Sequence, residues 1–296
     1  EYSRKSASIP YFSAKTTASM IELSDTCKVT TESSERSEVH GDFVVSALPL
    51  GVLKEAITGS TTEGVEFDPP LPFVKQDAIR SVGFGLLNKV YLQFPTAFWR
   101  LPGIVDDDTA QFGNASSCNP HHYMFFDMGK IMAVDKQTTE RTPAILMTLI
   151  SGHEAVLCEQ MDEHEVLGDV LATLRTIFQG TEVPEPTSYQ ITKWGSDKFS
   201  RGSYTYLPPG CTDQDFHVLQ APLNGNGDST LLETTETFRV FFAGEHTTAL
   251  HPSMAHGAML SGFRAAREVV SNMVHNLQFG ADVDRTIPLT IFRHQF

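Results

Sequence analysis

Hydrophobic and polar positions along this chain change period several times, and each change predicts an element. Residues 20–30 alternate and break at Ser24-Asp25, which reads as a hairpin. The charged run 31–41 reads as a connection. Residues 43–53 open as an apolar strand and break at Pro49 and Gly51, and the prolines at 69, 70 and 72 make a stiff extended linker. A short amphipathic helix is predicted over 74–82, then a strand over 89–94, rich in β-branched and aromatic residues. Residues 101–121, with Asp106 to Asp108, read as a loop, and 122–129 and 143–150 as strands joined by the polar run 135–142.

Farther on, Val166, Leu167, Val170, Leu171, Leu174 and Phe178 recur at helical spacing, predicting a helix over 153–178 that ends at Gly180. A strand follows over 187–194. A glycine- and proline-rich stretch leads to the irregular polar loop 221–237. The last regular pieces are a strand into Phe241-Phe242-Ala243-Gly244-Glu245 and a helix over 256–274. Strands outnumber helices without regular βαβ alternation, so the pattern predicts an α/β chain of the α+β, mixed-sheet kind.

Charge adds a preference for partners. The chain carries 36 acidic and 22 basic residues, a net charge of −14. Such a field opposes nonspecific nucleic-acid binding and favours cationic ligands such as amines, although an acidic surface also serves solubility alone. No apolar run reaches membrane-spanning length. Cys27, Cys118, Cys158 and Cys211 are scattered, which argues against a zinc site or a disulfide scaffold and for a reducing compartment. The start, with Arg4, Lys5 and Lys15, lacks a signal peptide's apolar core and reads as a frayed end. Asn114-Ala-Ser matches a glycosylation sequon by pattern only.

Three segments carry candidate chemistry. A strand ending at Glu245 delivers a carboxylate where ligands bind in α/β sheets, and the helix beyond offers unpaired N–H groups and a positive dipole end. Gly257, Ala258, Ser261 and Gly262 are small enough for a flat ligand or another backbone to lie close. The plain alternative is tight strand–loop–helix packing with a surface glutamate. Lys89 stands among Leu86, Leu87, Val90 and Leu92, either as an edge residue reaching solvent or as a buried functional amine. The run 194–206 interleaves Trp194, Phe199, Tyr204 and Tyr206 with glycines, as a rigid aromatic slot or as turn-rich core packing.

Residues 43–56, 67–72, 82–99, 192–206 and 241–269, taken together, resemble the flavin-dependent amine oxidases. Within that family they look closest to the lysine-specific histone demethylase branch, with simple polyamine oxidases next. The resemblance implies an FAD/NAD(P)-binding amine-oxidase fold with a mixed-sheet substrate domain. It implies FAD as cofactor, held by Gly244, Glu245, Pro252, Met254, Ala255 and His256, with Trp194 against the flavin. Lys89 matches the lysine that holds a water at the flavin, with Trp194 and Tyr204 as the other catalytic positions. Phe199, Tyr204 and Tyr206 line the implied substrate pocket.

The implied reaction is oxidation of a C–N bond of a methylated lysine peptide or a polyamine to an imine, with hydrogen peroxide released. The implied compartment is the nucleus for a demethylase, otherwise cytoplasm or an organelle. The family's GxGxxG βαβ unit is not found: Gly83-Phe-Gly85 and Gly225-Asn-Gly227 lack the third glycine. The expected organisation is therefore an unplaced segment 1–19, part of an FAD-binding domain over 20–66, a substrate domain over 67–205, a return to the FAD domain over 206–275, and a tail 276–296. A missing N-terminal half or partner chain is expected to complete the site. The alternative is a catalytically inactive subunit with a scaffolding role.

Overall fold

The computed structural model describes residues 17–23, 27–32, 37–59, 64–100, 110–113, 124–132, 142–225 and 238–279. The N-terminal segment, Asp106 to Asp108, the Asn114 sequon, Cys118, the 135–141 connection, most of the 221–237 loop and the tail beyond Phe279 lie outside them.

In chain order the elements begin with β1 (Thr17–Leu23), β2 (Cys27–Glu32), β3 (Ser37–Gly41), β4 (Val44–Ser46), α1 (Leu50–Thr58), β5 (Glu66–Asp68) and α2 (Phe73–Ser81). Then come β6 (Gly83–Gly85), β7 (Leu87–Gln93), β8 (Gln111–Gly113), β9 (Met124–Asp127), α3 (Met128–Met132), β10 (Ile145–Ser151), α4 (Gly152–Gln160) and α5 (Glu163–Ile177). The last are β11 (Ser188–Ile191), β12 (Tyr204–Tyr206), α6 (Asp213–Gln220), β13 (Leu223–Asn224), β14 (Phe238–Phe242) and α7 (Ala255–Phe279).

The chain divides into two compact units. The first comprises 1–48, 53–81 and 209–296; the second comprises 49–52 and 82–208. The first holds two mixed sheets, ordered β3-β2-β1-β5 and β13-β14-β4, in which β1/β5 and β14/β4 are the parallel pairs. Its small core packs Phe241, Ala243 and Ala265 against Phe43, Phe238 and Val269. Lys75 of α2 is buried there. Its Nζ donates to the carbonyls of Val218 (2.8 Å), Leu219 (3.0 Å) and Ala221 (2.8 Å), capping α6, and stands 3.9 Å over the Phe242 ring.

The second unit holds the antiparallel sheet β11-β7-β10-β9-β8 and the small ribbon β12-β6. Val90 and Leu92 point from β7 into a core shared with Leu146, Val170, Leu171 and Leu174. Phe94, Phe98, Trp99 and Phe178 meet edge to face at 5.1 to 5.6 Å, each pair contributing about 0.5–1.5 kcal/mol beyond its buried area. Asp127 anchors this cluster, accepting from Trp99 Nε1 at 2.9 Å and from Arg100 at both carboxylate oxygens.

Several local expectations change. The 31–41 run contains β3, paired with β2. It is a largely exposed strand that lacks apolar alternation, and its Glu38 makes an ion pair with Lys28 of β2. Gly51 sits in the first turn of α1, where a Cβ would stand 2.6 Å from the Arg201 carbonyl. The expected 153–178 helix is two helices. Asp162 stops α4 and starts α5 through a capping box, accepting from His164 N–H while its own N–H donates to Glu165. A further helix, α6, lies in the stretch read as glycine- and proline-rich, its start marked by Thr212 N–H donating to Asp215 at 2.8 Å. The last helix runs to Phe279 rather than 274.

Candidate functional site

In the first unit the parallel pair β4/β14 ends at Ser46 and Phe242, and the chain turns at Gly244, whose φ of 126° favours glycine. The turn is tied from below. Gly244 N–H donates to Ser261 Oγ at 2.8 Å, Thr247 N–H returns to the Gly244 carbonyl at 3.0 Å, and Arg264 donates to the Phe242 carbonyl and Thr247 Oγ1, each at 2.8 Å. Glu245 is thus delivered at the end of the strand, half-buried, and its Oε2 accepts from Ser253 N–H at 2.7 Å. That bond draws the 246–253 loop back to the start of α7. Pro252 is half-buried there, while Met254, Ala255 and His256 are exposed. At Gly257 a Cβ would strike the His251 carbonyl, so only glycine lets the loop lie on the helix start.

His246 and Lys75 lie behind this turn. Burial, with the charges of Lys75 and Arg264, lowers His246 to about 4. Burial and the Arg264 charge lower Lys75 to about 7. Neither was singled out by sequence pattern, because each lies in a mixed polar and apolar stretch and only the fold reveals its burial.

The residues present fit part of a dinucleotide-sized flavin group. Glu245 offers a carboxylate acceptor, and α7 offers a long helix start. At the end of the adjoining strand the Ser46 hydroxyl is buried and has no hydrogen-bond partner among the described residues, a polar atom that a ligand can satisfy. Among the described residues no glycine-rich strand-to-helix turn follows a parallel strand of this sheet.

In the second unit Lys89 lies on β7, which pairs with β10 on one side and β11 on the other. The edge-strand reading of Lys89 is therefore overturned. Its side chain shares a half-exposed face with Leu87 and Tyr91, opposite Val90 and Leu92. Trp194, 39% exposed, opens the turn after β11. One buried side chain joins the two segments: Asn88 Oδ1 accepts from Trp194 N–H at 3.0 Å and from Thr192 Oγ1 at 3.2 Å. The Thr192 hydroxyl in turn accepts from Lys89 N–H at 2.8 Å.

Tyr204 and Tyr206 lie on the same exposed face of β12, paired across the ribbon with Gly85 and Gly83. Phe199 is half-buried in the intervening loop, with Lys198 Nζ 5.4 Å from its ring centre. Among the described residues no ring-to-ring contact joins Phe199, Trp194 and Tyr204. The second unit therefore couples Lys89 to Trp194 through Asn88 and Thr192 and places Tyr204 beside Tyr206, and it does not pack these groups into one aromatic cluster. Asn88 and Glu159, which hold the Trp194 turn, were missed by sequence reading. The one available hint was an asparagine alternating with Lys89 in an apolar strand.

The sequence model described as flavin containing amine oxidoreductase matches residues 16–270. The chain is 36% identical over 242 residues to a possible lysine-specific histone demethylase 1 of Drosophila melanogaster, covering 80% of this chain and 25% of that protein. It is 37% identical over 231 residues to lysine-specific histone demethylase 1 homolog 3 of Oryza sativa subsp. indica, covering 77% and 25%. A solved putrescine oxidase, redesigned in its cofactor binding, matches with a TM-score of 0.62 at 18% identity over 86% of this chain and 48% of its own. That likeness concerns the fold. The chain spans about a quarter of the length of these demethylase relatives. With the match covering most of its residues, this chain, demethylase-like in sequence and amine-oxidase-like in fold, belongs to the flavin containing amine oxidoreductase family.

Proposed function

We propose that the chain forms part of an FAD-dependent amine oxidase acting on a methylated lysine peptide or a polyamine. The observation that carries this reading is the Asn88–Thr192 link, which holds Lys89 and Trp194 in one hydrogen-bonded unit. A half-exposed lysine and an exposed tryptophan whose backbone amides are tied through Thr192 and Asn88 are of little use to a core and suit a site where an amine is oriented beside water.

FAD, when bound, supplies the two-electron oxidation of the amine's C–N bond, with oxygen reduced to hydrogen peroxide. This chain's residues do the rest. Glu245 binds the cofactor through its carboxylate, with Gly244, Pro252, Met254, Ala255 and His256 forming the contact surface ahead of α7. Lys89 Nζ donates a hydrogen bond that orients a water. Trp194 and Tyr204 wall the amine, Phe199 and Tyr206 extend the wall, and their apolar faces favour the neutral, reactive amine over its ammonium form. The net charge of −14 draws cationic amines from solution.

The same reading assigns the pyrophosphate loop to a further polypeptide segment or partner chain. Met259, Leu260, Phe263 and Val270 are exposed on α7 and suit such a neighbour. A demethylase role places the protein in the nucleus. The test is the visible absorbance of the natively purified protein together with peroxide release on a methylated lysine peptide and on a polyamine. A flavin spectrum with release on one substrate supports the reading. A flavin spectrum without amine turnover, or no flavin, refutes it and favours the scaffold alternative.

A further inference from the structure

We propose that Glu159 is a positioning residue that sets the Trp194 turn, and through Asn88 the Lys89 strand, for reaction with the amine. The inference rests on the reading above, in which Lys89 and Trp194 are reaction groups.

Three successive amides, those of Trp194, Gly195 and Ser196, converge on two side chains. Trp194 N–H goes to Asn88 Oδ1 at 3.0 Å. Gly195 N–H goes to Glu159 Oε1 at 2.8 Å, and Ser196 N–H to Glu159 Oε2 at 2.7 Å. Such a run of backbone N–H groups is a concavity for an anion. Glu159, near the end of α4, fills it. Ser196 Oγ also donates to Oε2, and Asn88 Nδ2 donates to Oε1 at 2.7 Å. The carboxylate thus receives four donors and presents none, a role that only an acceptor-only group performs.

Two further observations bear on the role. A Cβ on Gly195 would lie 3.0 and 3.1 Å from the Glu159 oxygens and 3.1 Å from Leu86 Cδ2, so the turn is seated against the carboxylate with no slack. Burial pushes the Glu159 carboxyl up, but the hydrogen bonds from Ser196, Asn88 and the two amides outweigh it and hold the carboxyl below its ordinary range. Asn88 is the shared member. It is fully buried, donates to Glu159 and accepts from Trp194 N–H and Thr192 Oγ1, so displacing Glu159 acts on both the indole turn and the Lys89 strand.

The experiment uses the full chain labelled with fluorotryptophan. The Trp194 resonance is assigned by its loss in Trp194→Phe, and buried Trp99 serves as an internal reference. Glu159→Gln sets an amide donor among four donors. The expected result is a broadened or split Trp194 resonance with Trp99 unmoved; an unchanged Trp194 resonance overturns the inference. Should Glu159→Gln disturb Trp99 as well, Gly195→Ala provides the second variant. There, too, displacement of Trp194 alone supports the inference and an unmoved Trp194 refutes it.

In the flavin-loaded protein the limiting rate of reduction by amine should fall about 10- to 100-fold in Glu159→Gln, with flavin retained and the half-saturating amine concentration little changed. Glu159→Asp, which keeps a carboxylate, should retain more of that rate than Glu159→Gln; the reverse order, or an unchanged rate, counts against the role. If the unaltered protein oxidises no amine, the functional reading fails while the fluorine result still decides whether Glu159 holds the turn.

Discussion

Asn88 Nδ2 donates to Glu159 Oε1 at 2.7 Å, and Asn88 has no exposed surface. An amide is the one side chain of this size that both donates to that carboxylate and accepts from the Trp194 amide. Asn88→Asp replaces the donor with an oxygen facing a carboxylate. It is expected to destabilise the protein by about 2–4 kcal/mol, with part of the loss recovered at mildly acidic pH as the pair shares a proton. Urea unfolding of the two proteins at neutral and acidic pH gives the answer; equal midpoints at neutral pH would show that the contact carries no energy.

Lys89 tests the reaction rather than the fold. It lies on the half-exposed face of an interior strand, so Lys89→Met keeps the length of the stem and leaves the Val90 and Leu92 face untouched. The expectation is flavin reduction by amine slowed by a few orders of magnitude with flavin still bound. Stopped-flow reduction of the loaded variant measures it, and reduction at the unaltered rate removes Lys89 from the mechanism.

Glu245 tests cofactor holding. Its Oε2 accepts from Ser253 N–H at 2.7 Å, closing the loop ahead of α7. Glu245→Ala removes a charged acceptor from both loop and ligand. A loss of about 1.5–3 kcal/mol is expected for a hydrogen bond to a charged group, which corresponds to roughly 10- to 100-fold weaker flavin retention. Flavin content after exhaustive dialysis is the readout, and full retention would place the cofactor contact elsewhere.

Lys75 makes stability depend on pH in a defined direction. Its pKa is about 7 in the folded protein against an ordinary 10.5, so between these values the unfolded chain binds the extra proton. Stability therefore rises with pH across that window, and below it this group adds no pH dependence because both states hold the proton. His246, at about 4 against 6.5, acts likewise at lower pH, stability falling as pH drops from 6.5 towards 4. Lys75→Met should abolish the rise above pH 7 while leaving the three α6 carbonyls short of a donor, a cost of about 2–4 kcal/mol. Thermal unfolding from neutral pH to about 10 separates the two effects; a rise that persists in the variant assigns it to other groups.

Much of the fold was legible in the chain because it is written in short-range pattern. The β1/β2 hairpin, α2, β7, β10 and the amphipathic face of α5 follow from spacings within a dozen residues, which local backbone geometry converts directly into faces. The misreadings have separate causes. At Gly51 a close neighbour admits a glycine into a helix, at Asp162 a capping box divides one apolar stripe into two helices, and β3 pairs with polar faces outward.

The family, the strand that leads towards Glu245, which stops at Phe242, and the small residues where α7 begins are all written in contiguous motifs. The packed fold decided that Lys89 lies on an interior strand, that Asn88 and Glu159 close on the amides of Trp194, Gly195 and Ser196, and that Lys75 Nζ meets the carbonyls that end α6. Those hydrogen bonds join residues 36 to 146 positions apart. No local period encodes such a pairing: hydrogen-bond partners at that range meet only after the sheets and helices have packed.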